Sequence, residues 1–266
     1  MLAEQHLREG NPGQALAALQ QAVRSDPGNA RLRIFLFQLL AVLGQWDRAL
    51  NQLTVAGELD AGALAMVQTY REALRCEALR AQVFAGRRTP LLFGDPEPWL
   101  ALLVEAVRAG AQGRHAQAQA LREEAFDGAP ATSGEADGTR FEWIADADPR
   151  LGPVLEVIVN GRYYWVPFHR IAELRIEEPA DLRDVVWMPA AFRWVNGGES
   201  VGLIPTRYPG SEASRDPRIV LARRTEWAGE AEQYAGLGQR MLATDTEEYP
   251  LMALRSVVLD APESAA

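Results

Sequence analysis

The chain has 266 residues and a formal net charge of −9, with arginine as its only basic residue besides histidine. That length accommodates one large or two ordinary domains, each with its own core. Residues 1–128 carry 13 Arg against 14 acids and residues 129–266 carry 14 against 22, and so acidic a second half argues against nucleic acid or an anionic membrane as its partner.

Cys76 is the one cysteine, so no internal disulfide forms. The first ten residues lack a basic start followed by an apolar core. The longest apolar run, 34–42, is broken by Gln38 and falls far short of the roughly 20 residues of a membrane helix. A soluble, cytoplasmic protein is the expectation.

Residues 1–128 are rich in Ala, Leu, Gln and Arg, which favour helix. Breaks at 10–13, 25–28, 44, 60, 86 and 93–98 leave short-linked helices. Gly10 and Ala15 lie 34 residues before Gly44 and Ala49, and Gly113 and Ala118 follow 69 residues later. Pro27 and Pro130 each fall 12 residues after the alanine of their unit. A 34-residue helix–turn–helix unit with a small residue early in its second helix is the tetratricopeptide pattern. Ala61 stands where the middle unit would carry proline, and residues 62–98 fit the period poorly. The segment 31–43 is apolar on nearly every face, unlike the single stripe of a surface helix. It reads as a central buried helix, or as one that partly lines a groove for a partner's helix. In the latter reading Arg31, Ile34, Gln38 and Ala41 face the concave side. Trp46 reads as inter-helix packing, and Cys76 as a small buried hydrophobe.

Residues 127–139 are Gly, Pro, Ser and Asp without periodicity, as in a loop or junction. The predicted division is a helical domain 1–128, a linker 129–140 and a β-rich domain 141–266. Strand-like runs at 154–159 and 162–166 flank Asn160-Gly161, a strong hairpin signal because both central residues of a type I′ turn need positive φ. Further strands are predicted at 169–176, 185–195, 200–205, 219–222, 238–243 and 249–259, with Asn196-Gly197 making a second hairpin. The fold class is therefore α+β: tetratricopeptide-like helices, then a small barrel-like or strongly bent sheet.

Candidate chemistry is sparse. Asp146 and Asp148 at i, i+2 share a strand face and could bind a divalent cation, or in a turn they satisfy nearby backbone N–H groups. Glu156, within an alternating strand, is expected on the solvent face. His169 has no nucleophile beside it. No phosphate loop, nucleophile elbow or Cys/His metal spacing occurs, so neither cofactor nor metal is expected. The enzyme alternative is a hydrolase or ligand-binding site, metal-dependent in one form, around Asp146, Asp148, Arg150 and His169.

Residues 143–168, WIADADPRLGPVLEVIVNGRYYWVPF, resemble the signature of the ImpE family, which includes SciE- and TagJ-type proteins. So do 181–189 (DLRDVVWMP), 196–198 (NGG), 202–210 (GLIPTRYPG), 222–227 (ARRTEW) and 236–240 (GLGQR). The resemblance implies a non-enzymatic cytoplasmic accessory of type VI secretion. It implies binding to the N-terminal helix of the small contractile-sheath subunit and a link to the AAA+ ATPase that dismantles contracted sheath. Combined with the apolar helix, it places the partner on Arg31, Ile34, Gln38 and Ala41. Asp146, Asp148 and Arg150 are the expected secondary contact.

Overall fold

Residues 1–229 and 234–261 are described in a computed structural model of the chain. Helices α1 (Leu2–Arg8) and α2 (Pro12–Ser25) form one hairpin, and α3 (Ala30–Val42) and α4 (Trp46–Leu59) a second. A 21-residue helix, α5 (Leu64–Phe84), follows. After the short strand β1 (Leu91–Leu92), α6 (Pro98–Ala111) and α7 (His115–Gly128) make a third hairpin. The residues of the 34-residue pattern have evident roles. Gly10, Gly44 and Gly113 sit at φ of 78°, 65° and 74°, the left-handed conformation that ends a helix at little strain only for glycine. Ala15, Ala49 and Ala118 are buried where the second helix of each hairpin meets the first. Asn29 caps α3 by accepting from the Arg31 and Leu32 amides at 3.1 and 3.3 Å.

The second half supplies β2 (Gly134–Ala136), β3 (Thr139–Phe141), β4 (Ile144–Asp146), β5 (Val154–Val159), β6 (Arg162–Pro167), β7 (Ile171–Ile176), β8 (Trp187–Trp194) and β9 (Glu199–Pro205). The short helix α8 (Pro217–Val220) precedes β10 (Thr225–Ala228), β11 (Ala235–Gly238), β12 (Met241–Thr244), β13 (Glu248–Pro250) and β14 (Ser256–Leu259). Nine strands form an open sheet in the order β1-β6-β5-β9-β8-β7-β14-β2-β3, beside the pair β10-β11 and the three-stranded β13-β12-β4. The chain is α+β as predicted, and the sheet does not close into a barrel. Asn160 and Gly161 both have positive φ at the β5–β6 turn, as the hairpin requires.

The elements cross the predicted junction in both directions. Leu91 and Leu92 pair in parallel with Tyr164 and Trp165, so the helical half contributes an edge strand. At the other edge, 134–136 and 139–141 pair as a hairpin, so much of the expected linker is sheet. The run predicted as one strand at 249–259 is divided, because residues 251–253 turn between β13 and β14.

The nine-stranded sheet is buried on both faces at its centre. On β5, Val154 and Ile158 join the core built by the helices, while Leu155, Val157 and Val159 join a second core on the opposite face. Helix α3 lies in the first core, with every residue from Leu36 to Val42 buried. The reading of 31–43 as a central buried helix holds for its second half. Trp46 packs 6.2 Å from Trp187, so its aromatic contact reaches into the sheet.

Candidate functional site

Among the apolar side chains that face the helices at mid-sheet stands a cluster of buried polar ones that bonds across to α5. Glu156 on β5 is fully buried. It takes two hydrogen bonds from Arg80 of α5, at 2.7 and 2.9 Å, and further ones from Arg240 and the Tyr163 hydroxyl. The expectation of a solvent-facing Glu156 is corrected: α5 covers that face. Burial pushes the Glu156 carboxyl up, but Arg80 and Arg240 outweigh it and hold the group down at about 2. Glu77, one turn before Arg80, accepts from the Trp187 indole at 3.0 Å.

A gap in the sheet explains why arginine is used. Strands β5 and β9 pair only at Ile158–Leu203 and Val159–Gly202 and then diverge. Beyond that point the carbonyls of Pro205 and Arg207 have no strand partner, and a buried carbonyl without a donor is unfavourable. Arg240 Nε donates to Pro205 O at 2.9 Å, and Arg80 Nη2 to Arg207 O at 2.7 Å. Each guanidinium thus satisfies both a carboxylate and a freed backbone group. Arg207 donates in turn to the carbonyls of Val42 and Val220, joining the end of α3 to α8.

Asp146 and Asp148 belong to this network. Asp146 is paired with Arg240, accepts from the Tyr208 hydroxyl at 2.9 Å, and accepts from the Asp148 amide. Burial pushes it up to about 6 against the pull of Arg240. Asp148 is fully buried and accepts from the Arg150 amide and guanidinium and from the Gly236 amide. The two aspartates therefore hold backbone turns and do not form an exposed contact, which corrects the expectation for Asp146 and Asp148. Arg150 spends its charge on Asp148 and lies 4.9 Å over the Phe84 ring.

His169 belongs elsewhere. It faces Glu97 at 3.0 Å, and Glu97 also accepts from Arg170 and from the Trp99 indole. Burial lowers the His169 pKa, opposed by Glu97. The proposed hydrolase set is not assembled: the aspartates are saturated by arginine, tyrosine and backbone donors, and His169 bonds into a different cluster. Among the described residues no group of three His, Cys, Asp or Glu is placed to hold a metal. Cys76 is buried against the Gly161 carbonyl, and burial pushes its thiol up to about 12.

An accessible concavity lies elsewhere. An open groove of about 920 Å³ runs between the first half of α5 and the turn end of β5, β6 and β9. Met66, Tyr70, Ile158, Val201 and Leu203 supply its apolar surface, and Arg162 and Arg183 its charge. Val201 is 79% exposed, an unusual position for a β-branched aliphatic side chain on a central strand. Of the residues expected to bind a partner on the repeat face, Arg31 is exposed and Ile34 half-buried. Gln38 is buried and Ala41 fully so. Helix α3 packs there against the 3₁₀ turn Leu182–Val185, so the sheet half covers part of the face that the repeat register would have left concave. No sequence signal marks the groove, because its residues come from separated segments that only the α5–sheet contact brings together.

Residues 138–258 match the model of the ImpE protein family, and residues 6–73 match a tetratricopeptide repeat. The type VI secretion system accessory component TagJ of Pseudomonas aeruginosa is 54% identical over 257 residues, covering 97% of this chain and 90% of that protein. The chain belongs to the ImpE family. Protein VPA1032 of Vibrio parahaemolyticus, known from an X-ray crystal structure, superposes with a TM-score of 0.90 at 26% identity, each chain covered in full. The ImpE-matched segment contains Asp146, Glu156, Tyr163, Trp187, Arg207, Tyr208 and Arg240. The stretches that carry the family resemblance are thus the ones that build the buried network, and Arg80 and Glu77 complete it from the helical half. No described helix is long and apolar enough to cross a membrane.

Proposed function

We propose that this chain is a cytoplasmic, non-enzymatic accessory of type VI secretion that captures the N-terminal helix of the small contractile-sheath subunit. In this reading it presents that subunit to the AAA+ ATPase that dismantles contracted sheath. The observation that carries the proposal is the open apolar groove between α5 and the sheet. An amphipathic helix docks by laying its i, i+3, i+4 and i+7 side chains into such a groove. Tyr70 and Met66 form one wall, Val201 and Leu203 the other, and Arg162 suits an acidic residue on the helix's flank. The 54% identity to a type VI secretion accessory component supports the setting.

Titration calorimetry with a peptide of the sheath subunit's first helix tests the proposal. Val201→Asp places a charge on an already exposed side chain and leaves the core intact, so it is expected to weaken binding about tenfold or more with unchanged thermal stability. Ile34→Asp probes the repeat face in parallel. Loss with Ile34→Asp and none with Val201→Asp would move the site to the repeats. Absence of binding at about 100 µM peptide would reject helix capture altogether.

A further inference from the structure

The chain holds two Asn-Gly steps, Asn160-Gly161 between β5 and β6 and Asn196-Gly197 between β8 and β9. Turn geometry accounts for the residue types, since asparagine and glycine tolerate positive φ best. Asn160, Gly161 and Gly197 have φ of 50°, 70° and 83°. It does not account for how differently the two turns are bonded. At the second, the Gly198 amide donates to Asn196 Oδ1 at 3.0 Å, and the Gly197 amide donates to Trp194 O at 2.9 Å. At the first, neither the Asn160 carboxamide nor the Gly161 amide has a hydrogen-bond partner among the described residues. Gly161 is held only through its carbonyl, which accepts from Cys76. Both asparagines are exposed, so access of water does not distinguish them.

The difference is chemical. The carboxamide carbon of an asparagine is an electrophile, and the backbone nitrogen of the next residue is a nucleophile within its reach. Glycine at that next position has no Cβ to obstruct the approach. Attack requires an amide nitrogen free to lose its proton and a carboxamide free to turn towards it. Asn160-Gly161 meets both requirements, whereas at Asn196-Gly197 two hydrogen bonds must break first.

We infer that Asn160 is a site of intramolecular deamidation. Hydroxide takes the proton of the Gly161 amide, and the nitrogen bonds to Asn160 Cγ. The bond from Cγ to the side-chain nitrogen breaks, and ammonia leaves with a proton from water. The five-membered succinimide that results is opened by a second water at either carbonyl, giving aspartate with a normal or a β-linked backbone. The net change is carboxamide plus water to carboxylic acid plus ammonia, with no oxidant or reductant. Asn160 and Gly161 both line the groove between α5 and the sheet. Conversion therefore places a carboxylate on its rim, near Glu72, whose Cγ lies 3.2 Å from where a Cβ on residue 161 would stand. The β-linked product also adds a backbone atom to a two-residue turn that sets Val159 opposite Arg162, and register in a hairpin is fixed by loop length. The rim thus changes slowly from neutral to anionic, whatever segment docks there.

The full chain carries its own control. Protein is held in mildly alkaline buffer, folded or in urea, and samples are digested with trypsin. Cleavage after arginine releases residues 151–162 and 194–207 as separate peptides, and mass spectrometry reads the amide-to-acid conversion in each. In the folded protein Asn160 is expected to convert about tenfold faster than Asn196 or more, and in urea the two rates are expected to converge. Asn160→Gln should remove the conversion from 151–162 and leave that of 194–207 unchanged. Equal rates in the folded protein, faster conversion at Asn196, or an Asn160 that stays an amide while the unfolded chain converts would each overturn the inference. So would a rate difference that persists in urea, because it would come from the neighbouring sequence and not from the bonding of the turns.

Discussion

Glu156 shows how a single side chain can be misjudged from its neighbours. An acid among β-branched residues suggests alternation, with the acid outward. Yet Val154, Leu155, Val157, Ile158 and Val159 are all apolar, and an apolar run with one acid is equally the signature of a strand buried on both faces. In that setting the acid needs a buried cationic partner, and Arg80 and Arg240 provide two. Removing the carboxylate leaves both guanidinium groups short of charge, so Glu156→Gln is expected to destabilise the fold by about 3–5 kcal/mol near neutral pH. The pH dependence follows from the depressed pKa. The folded value of about 2 lies below the ordinary 4.5, so the stabilisation is complete above pH 4.5 and is lost as pH falls towards 2. Asp146, raised from 3.8 to about 6, has the opposite sign: its ionisation weakens the fold as pH rises through that window. It is present in both proteins, and because Arg240 pairs with both carboxylates the two titrations are coupled. The gap between wild type and Glu156→Gln in chemical denaturation is therefore expected to narrow from pH 4.5 downwards. A gap that stays constant with pH would show that Glu156 is not ionised in the native protein.

At the scale of elements, local signals are legible in the sequence and long-range ones are not. The glycines and alanines of the helical repeat, and the Asn-Gly turn between β5 and β6, act within a few residues of themselves and could be recognised by spacing. The parallel pairing of β1 with β6 links residues more than seventy positions apart, and nothing in the run Leu91–Leu92 announces it. The segment 236–240 is intermediate. Its glycines signal a turn, but the strict reason for glycine at 238 appears only in three dimensions. There φ is +90°, and a Cβ would lie 1.9 Å from the Arg224 carbonyl oxygen. Gly113 has φ of +74° and nothing within 4 Å of its own Cβ position. Gly238→Ala combines backbone strain with a collision against main chain, whereas Gly113→Ala meets strain alone. Urea denaturation is expected to show a loss of about 1 kcal/mol for Gly113→Ala and on the order of 3 kcal/mol for Gly238→Ala. Equal losses would mean that the β10–β11 pair shifts freely enough to absorb the contact.

For the whole molecule, the predicted division at residues 129–140 is a division of sequence pattern, and the packing does not follow it. One hydrophobic core takes Leu39 and Phe37 from α3, Tyr70 and Val83 from α5, and Trp165, Trp187 and Leu203 from the sheet. The Arg80–Glu156 pair lies within the same contact. Separating the halves would expose that apolar surface and leave Glu156 and Arg80 buried without each other or bare to water, so neither half has a low-energy way to remain folded alone. We therefore expect one cooperative transition. Far-UV circular dichroism reports mainly the helices. Five of the seven tryptophans lie in the second half, and two of these, Trp165 and Trp187, are fully buried where the halves meet. The two signals should superpose along a urea gradient. Arg80→Gln strips the charge that α5 contributes to the contact, and is expected to lower both midpoints together by an amount comparable to Glu156→Gln. Adding the two substitutions should not double the loss, because each disrupts the same pair. A helical signal that persists beyond the fluorescence transition in the wild-type chain would show instead that the repeats stand as an independent unit. The groove between α5 and the sheet would then be an interface able to open, not a fixed surface on which a partner helix docks.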